Sequence, residues 1–389
     1  MADIKITTAN QSGFIPSFWA NRALDVLRNQ IVLANLVARD VNFAQAGWKG
    51  QTITVPYPGS FTAQDKSADT PIAPQTPTGG QSVSLTLNKH KVVPFLIEDF
   101  ANAQANMDLM DRYIQPAVIA LAEQFETDLW ATAMGVNGAP LQGVAGTDIT
   151  SAVVRKTMKG LNDQKAPQAD RQLVVSTKDQ IALLGDSTLS TYFAFSQADS
   201  IRNGYVGKLY GMDTYWSQLA PSSTYVTVGA ATAGTFTLTV GGQTTAALNY
   251  NATPAQVSQA LQALSTVGAG LAIVGGTAGS YNVVLTGAAA GQAVTGVAVA
   301  ALTGGAFSAT AGQSNIAFHK NAVMFATRPF APTPGDAGVH SAQSNDPESG
   351  LSIRISAQYD INNMGMRCNL DLLYGMTVLR PTQAVIVNS

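Results

Sequence analysis

Between Thr214 and His319 the chain runs for 106 residues without a single Asp, Glu, Lys or Arg. A folded segment of that length has to wet its surface with Thr, Ser, Gln, Asn and backbone groups, and it has no ion pairs with which to reject wrong packings. All 22 basic and 24 acidic side chains lie outside it. A break this sharp in composition predicts a separate module. Within it Thr235 to Val240 alternates as a strand, Gly241-Gly242 signals a hairpin turn, and Gln243 to Leu248 returns. Thr253 then stands as the N-cap of a helix that begins at Pro254 and carries Val257, Leu261 and Leu264 on one face. Leu271 to Val274 and Tyr281 to Thr286 read as further strands. The module is predicted to be a small α+β domain.

The rest of the 389 residues is poor in charge as well. Charged residues make up 12% of the whole and hydrophobic ones 46%, against roughly 25% charged in average soluble proteins. Such a surface suits a protein that covers itself with copies of itself. The net charge of −2 offers no basic excess for nucleic-acid recognition. No apolar run reaches the roughly 18 residues of a membrane span. The first residues lack a secretion-signal pattern, and a lone Cys368 excludes an internal disulfide framework. Synthesis in the cytoplasm is the expectation.

Residues 1–15 are polar and read as an arm. Ser17 is a candidate N-cap, with Leu24, Leu27 and Ile31 at helical spacing and the pattern running to about Arg39. From Lys49 to Phe95, the alternating runs Thr52 to Val55 and Val83 to Leu87 flank a stretch rich in Pro, Gly, Thr and Gln. Two strand arms with a long tip are predicted, and a loop so long has a task. Met107 to Met134 is the strongest helix. Met110, Ile114, Ala117, Leu121, Phe125 and Leu129 form its apolar stripe, and Pro116 is either its first residue or a kink. A helix over Ser151 to Asn162, a strand over Arg171 to Val175, and a helix from Thr177 to Leu184 capped by Ser176 with Asp179 follow. After the uncharged module come a strand over Asn321 to Thr327 and a Pro-rich loop. Last is a hairpin, Leu351 to Tyr359 with Met364 to Leu372, that buries one face.

A search for chemistry returns no catalytic, cofactor-binding or metal site. Gly204, Gly207 and Gly211 lack nucleotide-loop spacing and read as turn glycines. His90, His319 and His340 have no partner at metal-ligand spacing. Glu123, Glu126 and Asp128 on the long helix are expected on a solvated or subunit-contacting face. Cys368, between Met366 and Leu370, is expected to be buried and inert.

Four fragments then carry a resemblance. They are Phe14-Ile15-Pro16 with Ala20-Asn21, Asn203 to Gly211, Ala317 to Ala322 with Ala326 to Pro329, and Leu372 to Gly375 with Leu379-Arg380-Pro381. In this order they resemble the coat proteins of P22-like tailed bacteriophages over about 1–215 and 317–389. The resemblance implies an α+β chain with the HK97-type shell fold. It assigns 1–48 to an N-terminal arm and helix and 49–96 to an extended loop over a neighbouring subunit. Residues 97–170 become a peripheral domain with its spine helix, and 171–224 and 317–350 the two parts of an axial domain. Residues 225–316 become an inserted domain, and 351–389 the peripheral sheet hairpin and C-terminus. It implies a major capsid protein of the virion, not an enzyme and without a cofactor. Hexamers and pentamers of itself would enclose phage DNA through non-specific inner contacts. Scaffolding, portal and decoration proteins are its implied partners, and no membrane is involved. A cross-link from a lysine such as Lys66 to an Asn would need a carboxylate-assisted pocket that nothing in the sequence marks. An encapsulin-like compartment and a tail or surface structural protein are the alternatives.

Overall fold

The computed structural model describes residues 20, 23, 32–39, 52–57, 61–66, 68–69, 71–72, 74–76, 81–99, 109–186, 207–328, 330, 340–346 and 351–389. The predicted arm, the cap at Ser17 and most of the first helix lie outside these. Where the helical pattern was expected to reach Arg39, the chain forms a short 3-10 turn over Leu33–Asn35 and a strand, β1 (Ala38–Arg39). Pairing with a distant strand overrides local propensity here.

β2 (Thr52–Tyr57) and β3 (Gln81–Thr86) form the predicted two-stranded ribbon, in register from Thr52 opposite Thr86 to Tyr57 opposite Gln81. β4 (Lys89–Glu98), unread in the sequence, follows at once. The long helix α1 (Leu109–Met134) runs through Pro116. Ile114, Ala117, Leu121, Phe125 and Leu129 are buried as the stripe predicts.

The chain then forms β5 (Leu141–Gly143), α2 (Ser151–Asp163), β6 (Arg171–Ser176), α3 (Thr177–Gly185), β7 (Lys208–Leu209) and β8 (Met212–Ser217). The Ser176 hydroxyl accepts the Asp179 N–H, so the predicted cap forms. Tyr210 and Gly211, both at positive φ, turn the β7–β8 hairpin, which is the work expected of a turn glycine.

The uncharged segment supplies β9 (Ser222–Thr227), β10 (Ala233–Val240), β11 (Gln243–Thr244), β12 (Leu248–Asn249), α4 (Pro254–Gln262), β13 (Ala272–Thr277), β14 (Ser280–Leu285), β15 (Val294–Thr303) and β16 (Ser308–His319). Thr253 and Gln256 close a reciprocal capping box on α4. The segment has its own buried cluster, built on Phe236, Leu238, Val257, Leu261, Tyr281 and Val283. The positions 225 and 316 fall inside β9 and β16, so the hydrogen-bonded ladders run unbroken across both.

β17 (Val323–Arg328), β18 (His340–Asp346), β19 (Leu351–Asp360), β20 (Gly365–Val378) and β21 (Ala384–Asn388) complete the chain. One sheet orders as β1-β17-β20-β19-β18, with β4 along the other edge of β20. A second runs β13-β14-β9-β16-β6-β8-β7, with β21 beside β16 and β5. It joins the uncharged module to the body without interruption. The main core packs α1 on the first sheet, with Phe125 edge-on to both Phe325 and Tyr374. Two close approaches fix the joints. A Cβ on Gly375 would stand 2.2 Å from the Thr86 carbonyl, where the ribbon leaves the sheet. One on Gly275 would stand 2.0 Å from the Met134 carbonyl, where the module meets the end of α1. Only glycine fits contacts that short.

Candidate assembly surfaces

Three polar clusters lock β4 and the N-terminal segment onto the body. At the first, buried Asp371 of β20 accepts from Arg354 Nε of β19 at 3.0 Å and lies 3.1 Å from His90 Nε2 of β4. The Arg354 guanidinium sits 4.6 Å above the Phe330 ring, which also packs 4.8 Å from the His90 ring. Three strands and the loop after β17 are thereby tied at one point. At the second, the Tyr374 hydroxyl donates to Asp128 Oδ2 at 2.6 Å, and Lys89 Nζ lies 3.3 Å from the same oxygen. Burial, then the Asp128 contact, holds the Tyr374 phenol well above its ordinary range. This cluster opens into a cleft of roughly 410 Å³ between the start of β4, α1 and the module's Leu271 and Thr286.

The third cluster corrects an expectation. Glu123 is exposed, but Glu126 is 1% exposed and accepts the Leu33 N–H at 2.7 Å. It thereby caps the 3-10 turn of the N-terminal segment. Burial pushes its carboxyl up to about 7, against the N–H groups of Leu33, Ala34 and Val32, which pull it down. Ala122 one turn before it, Leu129 one turn after it and Ala133 two turns after it are all buried. The apolar stripe is wider than the one read from the sequence, and that width was the available signal.

Because the folded chain holds the Glu126 proton more tightly than the ordinary 4.5, stability falls as pH rises from about 4.5 to about 7 and changes no further above. The expected loss is on the order of 3 kcal/mol. Glu126→Gln keeps an acceptor for Leu33 and cannot ionise. Urea unfolding of parent and variant at pH 5 and pH 8 is expected to show the parent losing ground to the variant at the higher pH. A difference that is the same at both values would refute a buried, proton-holding Glu126.

The remaining candidates are structural. The His319 ring accepts the Asn321 N–H at 3.2 Å and caps a 3-10 turn, and burial lowers its pKa. His340 begins β18 at the surface. Burial pushes the Cys368 thiol up to about 11, which suppresses the nucleophilic thiolate. Gly204 lies outside the described residues. Among the described residues no three His, Cys, Asp or Glu side chains converge on one point, and no helix is long and apolar enough to cross a membrane. What the surface does offer is uncovered apolar side chains on projecting parts. Phe61 and Ile72 at the ribbon tip are 70% and 46% exposed. Ile361 and Met364 at the turn between β19 and β20 are exposed as well.

Residues 198–387 match the family model described as P22 coat protein, gene protein 5. The whole fold is similar to a structure from Mycobacterium phage Che8, with a TM-score of 0.53 and 17% identity over 92% of this chain and 90% of that one. It is also similar to the capsid structure of cyanophage P-SCSP1u, with a TM-score of 0.51 and 14% identity over 92% and 87%. The chain thus carries a P22 coat protein-like stretch over residues 198–387 and has the fold of the cyanophage capsid structure. The cyanophage Pam1 capsid asymmetric unit, at a TM-score of 0.51 and 12% identity, covers 100% of this chain and 98% of its own. A comparison with curated proteins finds no match. The chain thus has the predicted HK97-like α+β fold. Three of the four fragments that carry the resemblance lie within the matched stretch. The fragment at Phe14 to Asn21 lies before it.

Proposed function

We propose that the chain is a tailed-phage major capsid protein that builds pentamers and hexamers of an icosahedral head enclosing phage DNA. Residues 49–96 lie over a neighbouring subunit, 97–170 and 351–389 form the peripheral domain, and 171–224 with 317–350 form the axial domain. Residues 225–316 stand as a module on an exposed face. The observation that carries this reading is the ribbon tip. Phe61 and Ile72 project from a Pro-rich segment whose described residues contribute nothing to the buried clusters, so their cover comes from another copy.

Scaffolding and portal proteins guide closure, and DNA touches the inner surface without sequence recognition. The net charge of −2 keeps that contact weak. Synthesis takes place in the host cytoplasm. Rings of five and six need head-to-tail contacts that close by rotation, each of them weak and many acting together. Expression with the neighbouring phage genes, followed by electron microscopy, is expected to give closed shells built of such rings. A product that is uniformly monomeric or fibrous would overturn the proposal.

A further inference from the structure

Among the described residues β15 pairs with β10 and with no other strand. Its second edge is therefore open over ten residues, Val-Thr-Gly-Val-Ala-Val-Ala-Ala-Leu-Thr. An open edge is a template for any other strand. Proteins normally blunt it with a lysine, a proline, an inward charge or a cover. β15 has no charged residue and no proline. It also carries side chains that favour pairing: Val297 is 63% and Val299 59% exposed, and Thr295 is exposed beside them. These three share the outward face. The opposite face is pinned, because a Cβ on Gly296 would meet the Thr237 carbonyl at 2.3 Å and the Phe307 ring at 2.7 Å. From Val294 to Ala298 the register with β10 runs unbroken, so the edge there is regular.

In a shell the strand found at the highest local concentration beside β15 is β15 of another copy. An antiparallel pair of identical strands about a two-fold axis is self-complementary, each donor on one meeting an acceptor on the other. The uncharged sequence removes the main objection to self-pairing, which is like charge facing like charge. Cross-strand Val and Thr pairs add to the contact. Rings held together by head-to-tail contacts still need contacts between rings, and a two-fold strand pair is of that kind.

We propose that β15 is a self-pairing edge, joining the modules of two subunits as antiparallel strands across a local two-fold of the shell. The inference rests on the exposed position proposed for the module, and its test separates the two. Thr295→Cys, Val297→Cys and Val299→Cys are made singly in the full chain, whose own Cys368 is buried. Directly opposed residues lie about 4.5–5.5 Å apart at Cβ, near enough for a disulfide. Each single variant reports the register centred on its own residue, and the double variants Thr295→Cys with Val297→Cys and Val297→Cys with Val299→Cys report those centred on Gly296 and Ala298.

Intact shells are first treated with a bulky maleimide, whose reaction reports whether the module is exposed. Fresh shells are then oxidised with diamide and run on denaturing, non-reducing gels. At least one position is expected to give a covalent pair of twice the chain mass from shells made of this protein alone. Thiols that label but stay monomeric in every single and double variant, or that link to a different polypeptide, overturn self-pairing. Thiols that fail to label overturn the exposed module and the pairing with it. In a second variant, Val297→Lys places like charges across the pair. Its shells are expected to dissociate at a lower temperature than the parent's while the subunit keeps its circular dichroism spectrum. Equal shell stability would count against the proposal.

Discussion

Replacing residues 58–80 by a short turn is expected to leave a folded subunit that no longer makes stable shells. The root of the ribbon has its own small core, in which Leu85 and Leu87 pack with Met324 and Ala326 and against Val55. β3 is also held where Thr86 meets Gly375. The described residues of the tip add nothing to that core. Of its described residues all but Gln75 are exposed, and Gln75 only accepts the Thr62 N–H at 3.2 Å across the tip. Removing it shortens a loop, which costs the subunit little. In the shell each copy loses the contact it makes with a neighbour, and a weak loss repeated over every subunit is large. The circular dichroism spectrum and urea midpoint of the subunit should match the parent's, and micrographs of the variant should show no closed particles. Particles of normal heat stability would show that the tip covers nothing.

Local rules that act within a few residues were legible in the sequence. The caps at Ser176 and Thr253 form as their spacing requires. The hairpin of β19 and β20 buries Leu351, Ile353, Ile355, Ala357, Cys368, Leu370 and Leu372 as the alternation demands. Alternation gives out at both ends: Tyr359 and Met364 are exposed at the tip, and Ser352 and Asp371 are buried at the base, where neighbouring elements cover both faces.

The elements that went unread depend on distant partners. β21 is buried along its whole length between β16 and β5, so its residues show no period of two. β4 carries Pro94, which argues against a strand until it is seen lying along the edge of the sheet. β15 is a run of Ala, Val and Gly with one paired edge, and such a run has no helical or alternating signature of its own. Glu126 was placed on the surface for a related reason. Its cover is the Leu33 turn, and a helix period cannot reveal a segment some ninety residues away.

Arg354→Met is expected to destabilise the subunit by about 3 kcal/mol, the lower end of the range for leaving a buried charge without its partner. Asp371 is almost fully buried, and Arg354 holds it through Nε to Oδ1 and the second guanidinium nitrogen to Oδ2. A two-point contact of this kind fixes direction as well as charge. With the guanidinium gone, the carboxylate keeps only His90 Nε2 among the contacts that cross to β4, and Phe330 loses the cation above its ring. The loss falls on the point where β4, β19 and β20 meet, so the root of the ribbon should loosen with it. Arg354→Lys is not expected to rescue the variant, because an ammonium cannot bridge both oxygens in one plane. The double variant Arg354→Met with Asp371→Leu removes both charges together and is expected to recover most of the stability, since replacing a buried pair by apolar groups is close to neutral. Urea unfolding of the parent, both single variants and the double variant gives the coupling between the two residues directly. A coupling under about 0.5 kcal/mol, the scatter expected of independent sites, would mean that solvent already shields Asp371 and that packing alone holds the junction.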